Sequence, residues 1–232
     1  MAGMAAADVA TSRIFDELDD PARRAWLGQA ATRLLGRGQT LARQGEPADA
    51  LYLLEQGLLK LVQVTPDGHE LIVRFVGPLD PFGGVVALEG ATYPVTALAV
   101  EQTRLLVWPR ATLVALLARH PQVRTNLLRE MTAHMTDALT RVRELATERV
   151  GQRLAHTLLR LGRQVGEKTP EGLMLGHPLT RQELAELTGT TLYTVSRILS
   201  RWQAEGVIES RGRRLLVRSV ARLQVLADTS DE

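Results

Sequence analysis

At 232 residues with 45% hydrophobic content, the chain is long enough for one large domain or two modest ones with real cores. It contains no cysteine, which excludes disulfides, thiolate zinc sites and cysteine-ligated iron–sulfur clusters. The net charge of +2 is unevenly placed: residues 1–148 carry 15 Lys+Arg against 17 Asp+Glu, residues 149–225 carry 13 against 6, and the last seven carry three acids and no base.

A basic segment joined to a slightly acidic one suggests a polyanionic partner, because each neutralised phosphate releases condensed counterions. Arginine supplies 26 of the 28 bases, which a GC-rich genome would also produce, so charge alone leaves nucleic-acid binding open. No run approaches the roughly 20 apolar residues of a membrane helix. Met1–Ala10 holds Asp8 and no early basic residue, so a signal peptide is not expected and the chain reads as cytoplasmic, without a membrane partner.

Thr11–Leu35 reads as a short helical lead-in, with Asp19, Asp20 and Pro21 as its start signal. From Gln39 to Pro109 come short β-runs such as Leu58–Val64 and Glu70–Val76, with Pro66-Asp67-Gly68 between them as a hairpin signal. Glycines at 45, 57, 68, 77, 83, 84 and 90 recur at strand-plus-turn spacing, which favours a sandwich or barrel over βα units. Residues 11–110 are therefore expected to form an antiparallel β-roll of jelly-roll type.

The period changes over 111–147. Leu128, Met131, Met135, Ala138, Val142 and Leu145 follow at spacings of 3, 4, 3, 4 and 3, a heptad seam. A helix of about 27 residues from Pro121 would extend about 40 Å. The seam either pairs two subunits or packs on the chain's own β-roll, and both readings can hold for different parts of the helix.

Residues 148–226 contain a helical stretch, Val150–Val165, a loop holding Gly166, Pro170, Gly172 and Gly176, and then the most informative segment, Leu179–Trp202. Thr180 and Glu183 have capping-box spacing, Gly189 breaks the helix they start, and Thr190 or Thr191 can cap a second one. On that second helix Val195, Ile198, Leu199 and Trp202 form an apolar stripe, while Tyr193, Ser196, Arg197 and Ser200 face away. Helix, glycine turn, helix is the helix-turn-helix arrangement, whose second helix presents its polar face to the major groove.

Arg197 suits a bidentate contact to guanine, and Thr180, Thr190, Thr191 and Thr194 suit phosphates. The runs Gly206–Ser210 and Leu215–Arg218 flank Arg211-Gly212-Arg213-Arg214, a hairpin with a basic tip. This reads as a wing whose Arg211 and Arg213 grip phosphate, the alternative being a solvated turn. Residues 227–232 are an acidic tail.

Gly45-Glu46-Pro47-Ala48-Asp49 with Leu51-Tyr52, a long helix, and Leu179-Thr180-Arg181-Gln182-Glu183-Leu184-Ala185 leading to Thr194-Val195-Ser196-Arg197 together resemble the Crp/Fnr superfamily over about residues 30 to 225. The resemblance implies an α+β chain with a cyclic-nucleotide-binding-like β-roll, a long dimerisation helix and a C-terminal winged helix-turn-helix. It further implies a transcription regulator, not an enzyme, that binds an inverted repeat of double-stranded DNA as a homodimer and meets RNA polymerase.

Two departures limit what carries over. Cyclic-AMP-binding members place a glutamate after Phe-Gly and an Arg-Ser pair a few residues on; here Phe82-Gly83 is followed by Gly84, and Tyr93-Pro94 stands in the Arg-Ser place. The polar pair that meets the adenine is replaced by Ala138 and Leu139. An effector pocket of Phe82, Gly83, Gly84, Tyr93, Ala138 and Leu139 is thus not expected to take cyclic AMP in that mode, which leaves another effector or none. Many members also carry a glutamate where Tyr193 stands, so the half-site should differ at that base pair.

Haem-using members ligate iron through histidine; of His69, His120, His134, His156 and His177, only His69 falls in the β-roll, and His134, beside the seam, is the better candidate. No cofactor is expected. A jelly-roll metalloenzyme would need clustered histidines and carboxylates, which one histidine between Gln39 and Pro109 does not supply. A constitutive, effector-free DNA-binding member is the stronger alternative.

Overall fold

A computed structural model of the chain describes residues 8–65, 70–176, 179–212 and 214–229. The expected turn Pro66-Asp67-Gly68, His69, His177, Arg213 and the tail acids Asp231 and Glu232 lie outside the described residues. The chain forms two units, the first ending at Thr136 and the second beginning at Asp137.

In the first unit, short 3-10 turns at Val9–Thr11 and Arg13–Phe15 precede helix α1, Asp20–Gly28. Asp19 starts α1, its carboxylate accepting from the Ala22 amide at 2.8 Å, and Pro21 sits in the first turn, where its missing N–H costs nothing. The helical lead-in is shorter than the sequence suggested. Ala31–Leu35 is strand β1, whose residues are exposed except Leu35, so its burial shows no alternation of period two.

Strands β2 (Thr40–Ala42), β3 (Ala50–Gln56), β4 (Leu59–Val64), β5 (Glu70–Val76), β6 (Pro81–Phe82), β7 (Thr96–Ala99) and β8 (Thr103–Pro109) complete the roll, with a short helix α2, Gly84–Glu89, inserted after β6. They form two antiparallel sheets, in the orders β1-β8-β3-β6 and β2-β7-β4-β5. The runs flanking the expected hairpin pair from Leu59–Val76 to Val64–Glu70, with one register shift after Leu61.

Strand β3 is buried on both faces, and its alternation separates two cores. Tyr52 and Leu54 join Leu59, Leu61, Val76, Phe82, Tyr93, Ala97 and Leu105 inside the roll. Leu51 and Leu53 join Phe15, Trp26, Trp108 and the following helices. There Phe15, Trp26 and Trp108 meet edge to face at 5.9–6.3 Å, and the Trp108 indole N–H donates to the Trp26 carbonyl at 2.9 Å.

The segment after β8 is two helices: α3, Arg110–Arg119, and α4, Gln122–Thr147, parted at Pro121. The first turns of α4 bury Val123 and Leu127 in the core with Trp108, and the Asn126 amide donates to the carbonyls of Ile14 and Asp16. From Leu128 onward the apolar stripe is in the open: Leu128, Met131, Met135, Leu139, Val142 and Leu145 are 50–65% exposed.

The second unit contains α5 (Val150–Val165), β9 (Gly166–Thr169), β10 (Gly172–Leu175), α6 (Arg181–Thr188), α7 (Leu192–Ala204), β11 (Ile208–Arg211), β12 (Arg214–Val217) and α8 (Val220–Asp228). The expected loop at 166–176 is a hairpin, joined to the wing in one sheet ordered β11-β12-β10-β9. Its glycines are steric necessities rather than loop markers. A side chain at Gly172 would collide with the Val217 carbonyl, at a φ of 142° that favours glycine, and one at Gly166 would collide with the Gly162 carbonyl and Leu173.

Candidate nucleic-acid interface

Local chemistry sets the helix pair. The Thr180 hydroxyl accepts from the Glu183 amide at 3.1 Å while the Glu183 carboxylate accepts from the Thr180 amide at 2.9 Å, a complete capping box that starts α6. Gly189 ends α6 in the left-handed region at φ 60°. Thr191, not Thr190, caps α7, its hydroxyl accepting from the Thr194 amide at 3.2 Å.

Helix α7 buries Val195, Ile198, Leu199 and Trp202 and turns the opposite face to solvent. Tyr193, 76% exposed, Arg197 and Ser200 stand together on that face, with Ser196 half-buried at its flank. Thr180 and Thr191 are exposed, Thr190 is half-buried between the helices, and the half-buried Thr194 shares a 3.0 Å hydrogen bond with the Thr191 hydroxyl. Their positions at helix N-termini place exposed backbone N–H groups beside them, the arrangement that binds phosphate.

The wing is less available than its composition suggests. The Arg211 guanidinium donates to Glu209 at 2.9 Å and pairs with Glu171 across the sheet, and Arg218 donates to the other Glu209 oxygen at 2.7 Å. Hydrogen bonds from Arg211 and Arg218 hold the Glu209 carboxyl below the usual carboxylate range, and the bond to Glu209 raises the Arg211 guanidinium. These acids compete with a phosphate for Arg211.

Two clefts reveal basic groups that periodicity did not single out. Arg149, at the start of α5, lines a cleft of about 330 Å³ with Thr194, Arg197 and Arg201. Arg181 and Arg214 line a second, of about 290 Å³, with Thr180 and Ser210. The charge excess that begins at Arg149 was the signal available for them in the sequence.

The end of α4 is tied to this helix pair. Glu144, 3% exposed, receives hydrogen bonds at both carboxylate oxygens from one Arg160 nitrogen, at 2.6 and 2.8 Å. Arg153 donates to the carbonyls of Glu148 and Thr188, and Leu145 lies against Gly189, where an added Cβ would come within 3.0 Å of it.

In the first unit, Phe82, Gly83, Gly84 and Tyr93 do come together. Tyr93 is 3% exposed and its ring stacks on Phe82 at 5.6 Å, and Tyr52 also stacks on Phe82, at 6.2 Å. Both phenols donate to the same Asp49 carboxylate oxygen at 3.1 Å, and the Asp49 amide donates to the Tyr93 hydroxyl at 3.4 Å. Burial is the main cause that raises both phenols above their ordinary range. At Gly84 a Cβ would approach the Leu51 Cδ1 to 2.7 Å, so a glutamate there would displace a fully buried leucine. Ala138 and Leu139 belong to the second unit, both exposed.

Comparison with known proteins agrees with this layout. The cyclic nucleotide-binding domain family matches residues 32–120 and the Crp-like helix-turn-helix domain family matches residues 152–226. The chain is 28% identical over 215 residues to the CRP-like cAMP-activated global transcriptional regulator of Mycobacterium tuberculosis, covering 93% of this chain and 96% of that protein. It is 33% identical over 195 residues to the cyclic AMP receptor protein of Thermus thermophilus, covering 84% and 87%. The structure of FixK2 from Bradyrhizobium japonicum superposes with a TM-score of 0.76 at 24% identity over 87% of this chain and 99% of that one, a likeness of fold. With its two domain families in this order and a one-third-identical relative spanning most of its length, the chain belongs to the Crp/Fnr family of DNA-binding transcription regulators.

Proposed function

We propose that the chain acts as a homodimer on an inverted-repeat DNA site, reading each half-site with the outward face of α7 and meeting RNA polymerase through other surfaces. The observation that carries this reading is the split of α7 into a buried stripe and an open face of Tyr193, Arg197 and Ser200, within a segment of strong basic excess. Thr180, Thr190, Thr191, Thr194, Ser196 and the wing arginines Arg211 and Arg213 fix the register on phosphate, and Arg197 supplies base discrimination.

The stripe Leu128, Met131, Met135, Ala138, Val142 and Leu145 is the dimer seam. Leu139, 62% exposed, widens it. So much apolar surface in line on one helix calls for a partner, and an identical helix repeats the same period. The domain limits 11–110, 111–147 and 148–226 are proposed with it.

The β-roll does not take cyclic AMP as the cyclic-AMP-binding relatives are named for doing. Tyr93 occupies the place of the phosphate-binding pair, and the Asp49 carboxylate beside it repels an anion. An effector-free regulator is the second reading, favoured by the Tyr52–Phe82–Tyr93 stack that fills the roll. Selection from a random duplex pool, with sedimentation of the protein alone and on DNA, tests both parts. The reading expects a two-fold symmetric site, two chains per duplex, and affinity unchanged by cell extract if no effector acts. An asymmetric site bound by one chain would overturn the dimer.

A further inference from the structure

The first turn of α7 holds two large apolar side chains in the open, Leu192 at 49% and Tyr193 at 76% exposure. A single exposed leucine means little. Its place gives it meaning. At about 100° per residue, Leu192 and Ser196 lie along one edge of the outward face, while Tyr193 stands one turn before Arg197. Across Leu192, Tyr193, Ser196, Arg197 and Ser200 this face carries no carboxylate, so nothing on it can accept from the amino group of cytosine as an ionised acid would.

The major groove offers one methyl group, the thymine C5-methyl. An apolar side chain gains by covering it, and laid over a cytosine amino group it would strip water without giving an acceptor in return. We propose that Leu192 and the Tyr193 ring cover thymine methyls near the guanine that Arg197 contacts, so that each half-site carries thymine within about two base-pair steps of that guanine. Four residues of helix rise about 6 Å, or about two base-pair steps, which sets the separation. This rests on the DNA-reading role of α7 proposed above and adds the chemical class of base that its first turn selects.

The test uses the full-length chain and the duplex it selects from a random pool. Each thymine of the half-site is replaced in turn by deoxyuracil, which removes the methyl and keeps the pairing, and affinity is measured by fluorescence anisotropy at fixed salt. Wild type, Leu192→Ala and Tyr193→Ala are compared, with thermal midpoints confirming that each variant is folded. The wild type is expected to lose about fourfold at one or two thymines within about two base pairs of the guanine, the value of about 0.8 kcal/mol for a buried methyl. Leu192→Ala or Tyr193→Ala is expected to be indifferent to the methyl at its own thymine. A half-site without thymine near the guanine overturns the proposal, as does indifference to every methyl or equal sensitivity in all three proteins. A pool with no enriched sequence overturns the DNA-reading role itself and this inference with it.

Discussion

The ring of Tyr93 lies against that of Phe82, 5.6 Å between centroids and 12° from parallel, with its hydroxyl 3.1 Å from the Asp49 carboxylate. Where the sequence carries Tyr93-Pro94 in the expected place of an Arg-Ser pair, an aromatic ring is buried in the roll with a carboxylate beside it. Cyclic AMP is therefore expected to give no saturable heat by titration calorimetry and no rise in thermal midpoint. Saturable binding that disappears on changing Gly84 and Tyr93 would contradict this.

The same network predicts a response to alkali. Burial raises the Tyr52 and Tyr93 phenols, so their contribution to stability is fully present below the ordinary phenol value of about 10 and is lost as pH rises through their folded values. Ultraviolet titration of phenolate should leave Tyr52 and Tyr93 protonated above about pH 10 until the roll unfolds, and Tyr93→Phe should leave one such group instead of two. Smooth titration of Tyr52 and Tyr93 in the folded state would argue against their burial.

A buried acid gives a prediction of the same sign in a lower pH range. Burial, outweighing Arg74, the Gly77 amide and Arg13, raises the Asp80 carboxyl, so its contribution is present below the ordinary value of about 3.9 and is lost as pH rises through the folded one. Asp80→Asn keeps an oxygen for the Gly77 amide, now 3.2 Å from the carboxylate. Thermal midpoints should favour the variant more at about pH 7 than at about pH 4. An equal difference at both would show that ionisation of Asp80 costs nothing in the native state.

Legibility in the sequence followed the range of the interaction. The Thr180–Glu183 cap, the Gly189 break and the stripe on α7 lie within one or two helical turns, and the residue order is enough to read them. Strand β1 escaped because its exposed face and short length give no alternation, and the β9–β10 hairpin because its glycines mimic loop punctuation. The acids that hold Arg211 were also invisible. Glu171 is brought to it only by the pairing of β10 with β12, and a basic tip in sequence becomes a compensated one in the fold. Helix α2 is six residues long, below the length at which periodicity distinguishes a helix.

The Glu144–Arg160 pair is buried on both sides, with side-chain exposures of 3% and 12%, and Arg160 also donates to Thr157 at 3.2 Å. Removing one partner leaves an uncompensated charge. Glu144→Ala or Arg160→Ala should each cost about 3 to 5 kcal/mol in denaturant unfolding, and the double replacement by apolar residues much less than their sum. Single losses below about 1 kcal/mol would place the pair in effectively solvated surroundings.

The role of α7 as the DNA reader is tested most directly by the affinity of the full-length chain for its selected duplex, in wild type and Arg197→Ala, with the guanine of the half-site intact or replaced. Replacing either the guanine or Arg197 is expected to cost about 1 to 3 kcal/mol, and the second change to add little once the first is made. Binding by Arg197→Ala that matches the wild type, or that still distinguishes guanine from its replacement, would contradict the assignment of α7 as the reader.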